Sequence, residues 1–264
     1  MKVLDLFKLD DKVALVTGGA KGLGTAINEG LLEAGVSKLF FCGRGRHGSM
    51  EDEQKRLSET HGAEVTGIQC DVTDESQVSS MVEEIKKQAG KIDILVNNAG
   101  VTWNAPSLEQ TSKSWHRALD TNLTGTFFVT RDVARELMIP HDNGRVVNIS
   151  SLLALIGVEV GSQVGYSASK SAILGLTRQL AVEWAGKGIR VNAIVPGFVE
   201  GRNSMSQVFT GEESPVRGTI LDMIPIRRFA NTDDLKAAVC YLASDASAYM
   251  TGQYLVLDGG MSIK

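Results

Sequence analysis

The chain has 264 residues and a formal net charge of −4, with 43% hydrophobic residues and 28 glycines. That length suits one large α/β domain, and the charge gives no reason to expect nucleic acid or an anionic membrane as a partner. The three cysteines lack metal-ligand spacing and the four histidines are scattered, so we expect no metal and buried, reduced thiols. No apolar run approaches the ~20 residues of a membrane span, and charges interrupt the N-terminal segment where a signal peptide would be apolar. We expect a cytoplasmic protein.

Short apolar, β-branched runs alternate with longer helical patterns along the whole chain. Strands are predicted at residues 12–17, 38–42, 64–69, 92–96, 145–149, 189–195 and 253–257. Helices are predicted at residues 22–34, 50–60, 75–89, 112–119, 125–137, 166–185 and 233–243. Near-continuous apolar strands separated by helices indicate a parallel sheet covered on both faces, and right-handed crossovers make it doubly wound. We predict an α/β fold with a single Rossmann-type domain over residues 1–264, containing about seven parallel strands.

The stretch 200–226 interrupts this alternation, because it is polar and turn-rich and contains Pro215 and Pro225. A long irregular segment inside a compact domain is often functional. We therefore predict a substrate lid at about 200–226, with a plain surface loop as the alternative.

A glycine-rich turn, Thr17–Gly24, lies between the first predicted strand and the first predicted helix. Its glycines permit a tight turn and a close approach of a pyrophosphate, and the helix start directs backbone N–H groups at the phosphates. The spacing differs from the general fingerprint G-x-G-x-x-G, and a glycine-rich turn alone can be only a turn. Its position between a strand and a helix favours a dinucleotide site. We assign to it the cofactor-binding residues Gly18, Lys21, Gly22, Leu23 and Gly24.

The second predicted strand is followed by a basic turn that contains Arg44 and Arg46. An NAD site usually has an acidic residue here for the ribose hydroxyls, and this turn has none. Arg44 can instead hold a 2′-phosphate through charge-assisted hydrogen bonds, with Lys21 adding a second positive charge. The sequence therefore predicts NADP(H) rather than NAD(H), with a solvated turn as the alternative.

Tyr166 and Lys170 stand four residues apart in an amphipathic helical pattern. This spacing places a phenol and an ammonium on the same face of the helix. A nearby positive charge lowers the pKa of a phenol, so we expect Tyr166 to exchange a proton near neutral pH. Such pairs also occur on solvated helices, and the interpretation depends on the rest of the chain.

Further motifs stand in an order and spacing that is highly specific when taken together. They are Cys70-Asp71-Val72, Asn97-Asn98-Ala99-Gly100, Asn122 in Asn-Leu-Thr-Gly, Ser150-Ser151, Pro196-Gly197 and Asp258-Gly259-Gly260. With the glycine-rich turn and the Tyr166–Lys170 pair, they make the chain resemble the short-chain dehydrogenase/reductase family. The resemblance covers nearly everything from Leu9 to Gly260.

The resemblance implies a catalytic set of four residues. Tyr166 would protonate the carbonyl oxygen during reduction or take the alcohol proton during oxidation. Lys170 would lower the Tyr166 pKa and bind the nicotinamide ribose. Ser151 would hydrogen-bond the substrate oxygen, and Asn122 would hold a water that links Lys170 to solvent.

The resemblance also implies the remaining cofactor contacts. Asp71 would bind the adenine amino group, with Val72 beside it. The nicotinamide side of the cleft would be lined by Asn98, Ala99, Gly100, Pro196 and Gly197. For Asn97 and Asn98 alike, a buried amide that bridges neighbouring strands is an equal alternative to a direct cofactor contact.

Two departures from the family pattern bear on the substrate. Ser151 and Tyr166 lie fifteen positions apart, two more than is usual, which should reshape the pocket around residues 155–163. Ser150 is a second candidate for the serine. Gly201 stands where the family often has a threonine that bonds the nicotinamide carboxamide, so Ser204 or the backbone would have to replace it.

The sequence thus predicts an NADPH-dependent carbonyl reductase that transfers a hydride between nicotinamide and a ketone or secondary alcohol, possibly a 3-oxoacyl thioester. An NADP-linked sugar or polyol dehydrogenase of the gluconate type is one alternative. A catalytically silent protein that senses NADP(H) is another. The partner is a small-molecule carbonyl or alcohol substrate, and the resemblance implies a homodimer or homotetramer.

Overall fold

A single parallel sheet organises the chain. The computed structural model describes residues 2–45, 49–201 and 207–264, and within these residues seven strands form one sheet in the order β3-β2-β1-β4-β5-β6-β7. The strands are β1 (Val13–Thr17), β2 (Lys38–Gly43), β3 (Glu64–Gln69), β4 (Ile94–Asn97), β5 (Gly144–Ile149), β6 (Ile189–Pro196) and β7 (Tyr254–Leu257). All neighbouring strands pair in parallel. The predicted Rossmann-type fold is confirmed.

Helices connect the strands and cover both faces of the sheet. They are α1 (Leu23–Glu33), α2 (Ser49–His61), α3 (Glu75–Ala89), α4 (Ser112–Leu119), α5 (Gly125–Val133), α6 (Val164–Trp184), α7 (Gln207–Thr210), α8 (Arg217–Met223) and α9 (Thr232–Ala243). The two short helices α7 and α8 lie in the stretch that the sequence predicts as irregular. A π-helical turn at Asp120–Thr124 joins α4 to α5.

The strands are buried on both faces, which explains their near-continuous apolar sequences. Leu15 and Phe40 belong to the core beneath α3, α5 and α6. Their neighbours Val16 and Phe41 point to the opposite face and pack with residues of α1, α2 and α9, as the alternation of strand side chains requires. Cys42 and Cys70 are buried free thiols, as expected, whereas Cys240 is only half-buried.

An apolar cluster packs the described residues 207–226 of the predicted lid onto the domain. Its buried members are Leu152, Phe209, Ile220, Ile224, Phe229 and Met261. The α8 helix contributes Ile220, which is fully buried. No helix in the described part of the chain is long and apolar enough to cross a membrane.

The winding of the sheet reverses beside β1, and this reversal positions the functional site. β1 pairs with β2 on one side and with β4 on the other, so the connections after β1 and β4 diverge to opposite faces. Ligands of open α/β sheets bind in the crevice that this divergence leaves at the carboxyl ends of the strands. Thr17 and Asn97 are in register at this edge, and the motifs found in the sequence follow them.

Candidate active site

The glycine-rich turn has the geometry that a pyrophosphate requires. Gly18 and Gly22 have φ angles of 68° and 61°, which side chains with a Cβ rarely adopt. A Cβ on Gly24 would overlap the Gly18 carbonyl oxygen, so the first turn of α1 packs directly on the glycine-rich turn. No side chain among the described residues caps the start of α1, which leaves its backbone N–H groups available to an anion.

Asn98 braces the glycine-rich turn. Its amide nitrogen donates to the Thr17 carbonyl oxygen at 3.0 Å and to the Gly18 carbonyl oxygen at 3.2 Å, and the side chain also lines the cavity above. The preceding Asn97 is buried and bridges β4 to β5 through the Asn148 side-chain oxygen, 2.8 Å away. The structural alternative that the sequence left open therefore describes Asn97, whereas Asn98 has both a bridging role and a position at the cleft.

A cavity of about 410 Å³ lies beyond the glycine-rich turn and carries several positive charges. Lys21 and Arg44 line it together, as the NADP(H) prediction requires, and Arg117 of α4 adds a third basic side chain that the sequence reasoning missed. One carboxylate oxygen of Asp71 is held by the Thr73 backbone N–H and hydroxyl at 3.0 and 2.8 Å. The other predicted residues on this wall are Gly18, Val72, Ala99 and Gly100.

A second cavity, of about 180 Å³, continues from the glycine-rich turn to the predicted catalytic residues. Its walls bring together nearly all the predicted contacts of the nicotinamide half: Gly18, Lys21, Gly22, Leu23, Asn98, Ala99, Gly100, Ser151, Tyr166, Lys170, Pro196 and Gly197. These residues come from five separate segments of the chain. The two cavities share Gly18, Lys21, Ala99 and Gly100, so they form one cleft.

The α6 helix places Tyr166 and Lys170 on the wall of this cleft. The helix begins at Val164, two residues earlier than predicted, so Tyr166 lies in its first turn. The Lys170 side-chain nitrogen is 5.7 Å from the centre of the Tyr166 ring. It donates to the Ile149 carbonyl oxygen at 2.7 Å, which anchors the ammonium at the end of β5.

The pKa of Tyr166 moves in the direction opposite to the one we expected. Tyr166 is half-buried as a residue, but its phenol end is enclosed, and this burial raises the pKa by more than contact with the Ser151 side chain lowers it. Burial also lowers the pKa of the Lys170 ammonium, to about 8. The expected lowering of the Tyr166 pKa by Lys170 does not contribute to this shift, and the ammonium is instead hydrogen-bonded to the Ile149 carbonyl oxygen. The Tyr166 phenol is therefore protonated and uncharged at neutral pH.

The two candidate serines have different surroundings. Ser150 is buried, and its hydroxyl donates to the Lys170 carbonyl oxygen at 2.8 Å, so it ties β5 to α6. Ser151 lines both the nicotinamide cavity and the adjoining pocket, and its hydroxyl accepts from the Leu153 backbone N–H at 3.2 Å. This placement favours Ser151 over Ser150 as the residue that meets a substrate oxygen.

Asn122 lies fully buried in the π-helical turn between α4 and α5. Its amide bonds both polar atoms of the Val101 backbone, at 2.8 and 3.0 Å, and it donates to the Ser169 hydroxyl at 2.9 Å. The side chain thus fixes the loop after β4 against α6. A Cβ on Gly100 would lie 3.3 Å from the Asn122 oxygen and 3.6 Å from the Lys170 nitrogen, so Gly100 keeps the space between these two side chains open.

A pocket of about 80 Å³ adjoins the nicotinamide cavity, and both are lined by Ser151, Tyr166 and Gly197. We call it the carbonyl pocket. Its remaining walls are Thr102, Leu152, Leu153, Val158, Val160, Gln163, Phe198 and Phe209. Thr102 was not found by sequence reasoning, whereas Val158, Val160 and Gln163 belong to the stretch 155–163 that was expected to shape the pocket.

Phe209, in the stretch predicted as a lid, and Phe198, just before that stretch, both line this pocket, and their rings meet edge to face with centres 5.9 Å apart. Trp103, three residues beyond Gly100, is 51% exposed and does not line the carbonyl pocket. Ser204 and Arg46 lie outside the described residues. The replacement of the family threonine by Gly201 therefore stays an open sequence prediction.

Comparison with known proteins identifies relatives over the whole chain. The family described as enoyl-(acyl carrier protein) reductase matches residues 18–262. The chain is 40% identical over 261 residues to 2-dehydro-3-deoxy-D-gluconate 5-dehydrogenase of Pseudoalteromonas atlantica, covering 98% of each chain. It is 34% identical over 252 residues to 3-oxoacyl-[acyl-carrier-protein] reductase of Escherichia coli, covering 96% of this chain and 98% of the relative.

Solved structures agree with these relatives. A gluconate 5-dehydrogenase from Burkholderia cenocepacia, solved in complex with NADP and tartrate, superimposes with a TM-score of 0.92 at 31% identity and covers 100% of both chains. A 2-deoxy-D-gluconate 3-dehydrogenase candidate from Agrobacterium tumefaciens with bound NADP gives a TM-score of 0.87 at 35% identity, over 98% of this chain and 100% of that one. The chain belongs to the short-chain dehydrogenase/reductase family, which confirms the family, the oxidoreductase class and the NADP(H) cofactor predicted above.

Proposed function

We propose that the protein is an NADPH-dependent carbonyl reductase in which Tyr166 donates the proton and Ser151 orients the substrate oxygen. One observation carries this proposal. Ser151, Tyr166 and Gly197 line both the nicotinamide cavity and the carbonyl pocket, so a carbonyl group held by the two hydroxyls lies at the boundary between the two spaces.

Each residue of this boundary has a definite task. When bound, NADPH supplies the hydride. The glycine-rich turn fits its pyrophosphate, because Gly18 and Gly22 have positive φ angles and no side chain among the described residues caps the start of α1. Ser151 donates a hydrogen bond to the carbonyl oxygen and positions it. Tyr166 transfers its phenolic proton to that oxygen as the carbon accepts the hydride, so the carbonyl gains both and becomes an alcohol. Lys170 stabilises the phenolate that remains.

The protonation state of Tyr166 supports reduction as the working direction. A raised pKa keeps the phenol protonated at neutral pH, and a reduction consumes one proton per carbonyl. Oxidation of the alcohol would instead need the phenolate as a base. We therefore propose that oxidation of the alcohol is favoured at alkaline pH.

The basic end of the cleft supports a preference for NADPH over NADH. Lys21, Arg44 and Arg117 line the large cavity together, and three positive charges suit a 2′-phosphate better than free ribose hydroxyls. Arg44 is the main contact in this proposal, because it follows β2 directly and lies at the cavity mouth. The lid at about 200–226 covers the substrate side.

We also propose that the protein is a cytoplasmic homodimer or homotetramer. β7 is the edge strand of the sheet, and its outward residues Tyr254 and Val256 are partly exposed beside the fully exposed Tyr249. Apolar edges of this kind commonly mark subunit contacts. Light scattering in solution measures the assembly directly.

A second candidate function is an NADP-linked sugar or polyol dehydrogenase, which the 40% identity to a deoxygluconate dehydrogenase favours. Consumption of NADPH should be followed with a panel of 3-oxoacyl thioesters, simple ketones and keto-sugars. Turnover of thioesters and ketones supports the main proposal, and turnover of keto-sugars alone supports the second. NADPH binding without any turnover would point to the silent sensing protein and contradict both.

A further inference from the structure

Gln163 lies in the wall of the carbonyl pocket and is held there from two sides. It is the residue just before α6, one helical turn ahead of Tyr166. The Thr102 hydroxyl donates to its side-chain oxygen at 2.9 Å. Beside this bond, the Ala105 backbone N–H donates to the Ser162 carbonyl oxygen at 3.0 Å. The loop after β4 and the loop before α6 are thereby joined, so the Gln163 side chain has a fixed position.

The contact with Thr102 leaves the Gln163 amide as a donor. A glutamine amide has one acceptor oxygen and two N–H donors, and here the oxygen is taken by Thr102. Within the described ranges, the Gln163 nitrogen has no acceptor at hydrogen-bond distance. This nitrogen is not among the enclosed side-chain atoms that lack a partner, so solvent reaches it, and a ligand that supplies an acceptor here can take the place of that water.

The rest of the carbonyl pocket offers few other polar groups. Its described walls are mostly apolar, with Leu152, Val158, Val160, Phe198 and Phe209. The two hydroxyls of Ser151 and Tyr166 are committed to the reacting oxygen. The Gln163 amide is thus the described side-chain donor that can recognise a second polar group on the same substrate.

The pocket does not end at Gln163. Gln163, Leu153 and Val158 also line an adjoining groove of about 250 Å³ that opens toward the surface. Serine hydroxyls of Ser107 and Ser162 lie along this groove. A substrate too long for the carbonyl pocket can therefore continue past Gln163 into the groove, with its ketone still at Tyr166.

We infer that Gln163 is a specificity-determining residue that donates a hydrogen bond to a second oxygen of the substrate, a few bonds from the reacting carbonyl. The inference rests on the proposed reductase function. The preferred substrates are ketones with a nearby oxygen acceptor, and the remaining part of the molecule lies in the groove. Ester carbonyls of 3-oxo esters and hydroxyls of hydroxyketones share this chemistry.

Three small ketones separate these possibilities. Ethyl acetoacetate carries an ester oxygen, hydroxyacetone carries a hydroxyl, and methyl propyl ketone carries no second oxygen. We expect Gln163→Met, which keeps the length of the side chain but has no N–H, to lower kcat/KM about tenfold or more for the oxygenated ketones, the usual effect of losing one hydrogen bond. Methyl propyl ketone should change by less than about twofold. The oxygenated ketone that loses more identifies the source of the oxygen.

Two further variants complete the experiment. Thr102→Val removes the hydroxyl that positions Gln163 and should reduce the same preference more weakly. Gln179→Met is the matched control, because Gln179 is exposed on α6 and lines neither the nicotinamide cavity, the carbonyl pocket nor the groove. In all three variants, the NADPH affinity and the midpoint temperature of thermal unfolding should stay close to the wild-type values.

The outcomes separate this inference from the proposed function. If Gln163→Met lowers turnover of all three ketones equally, or of none, Gln163 is a structural residue and the inference is wrong while the reductase assignment stands. If the wild-type protein binds NADPH but reduces none of the three ketones, the proposed function fails first and this inference fails with it.

Discussion

Replacing Lys170 with methionine should stabilise the protein at neutral pH and remove that gain at alkaline pH. The Lys170 ammonium is 3% exposed, and burial lowers its pKa from 10.5 to about 8. Each pKa unit corresponds to about 1.4 kcal/mol of differential stability between the two protonation states. The buried charge therefore costs about 3 kcal/mol of folding free energy below pH 8.

The pH dependence follows from the direction of this shift. Between pH 8 and 10.5 the unfolded chain binds the Lys170 proton and the folded chain has released it, so wild-type stability rises with pH across this window. Methionine has no proton to bind. The stability difference between Lys170→Met and wild type should thus shrink by about 2 to 3 kcal/mol from pH 7 to pH 10.5. The variant also loses the hydrogen bond to Ile149, which lowers its stability by roughly 1 kcal/mol at every pH. This loss therefore does not affect the change in the stability difference between the two pH values.

Urea unfolding at a fixed protein concentration, followed at both pH values, measures the difference. Lys187→Met is the matched control, because the Lys187 side chain is exposed and its charge stays in water in both states. A Lys170→Met difference that is the same at pH 7 and pH 10.5 would refute the reasoning. The variant should also lose reductase activity, so stability and function would change in opposite directions.

Three other expectations concern the cofactor and the proton. Arg44→Ala should raise the KM for NADPH by about 10- to 100-fold, the effect of one charge-assisted hydrogen bond, and leave NADH kinetics unchanged; an equal loss with both cofactors would contradict the phosphate contact. Gly24→Ala should weaken NADPH binding at least about tenfold, because its methyl group would overlap the Gly18 carbonyl oxygen. Gly175→Ala is the control: its methyl group would lie in open space on α6, so NADPH binding should not weaken. Calorimetric titration measures both affinities. With saturating NADPH, kcat for reduction should fall as pH rises through about 8, where Lys170 loses its proton; a rise above pH 8 would count against Tyr166 as the acid.

The sheet and the cleft were predictable because both follow from local patterns. Each of the seven described strands begins and ends within two residues of the bounds expected from its apolar run. The motifs lie at the carboxyl ends of these strands, where a doubly wound fold gathers them. Residues as distant in sequence as Gly18 and Lys170 could therefore be assigned to one cleft without coordinates.

The missed features depend on contacts between distant segments. The α8 helix exposes mostly polar side chains and has one fully buried apolar residue, Ile220, so its sequence has no clear helical stripe. Arg117 reaches the cofactor cavity only because α4 packs over the cleft. The Tyr166 pKa depends on enclosure by neighbouring loops, and residue spacing along a helix carries no information about desolvation.

The central claim is tested most directly by Tyr166→Phe in a single-turnover experiment with bound NADPH and a ketone that the wild type reduces. The substitution removes the proton donor and leaves the glycine-rich turn, Ser151 and Lys170 in place. We predict wild-type NADPH affinity and a hydride-transfer rate at least about a thousandfold lower, since general acid catalysis contributes 10²–10⁴-fold and Tyr166 also orients the carbonyl. A transfer rate close to that of the wild type would contradict the account.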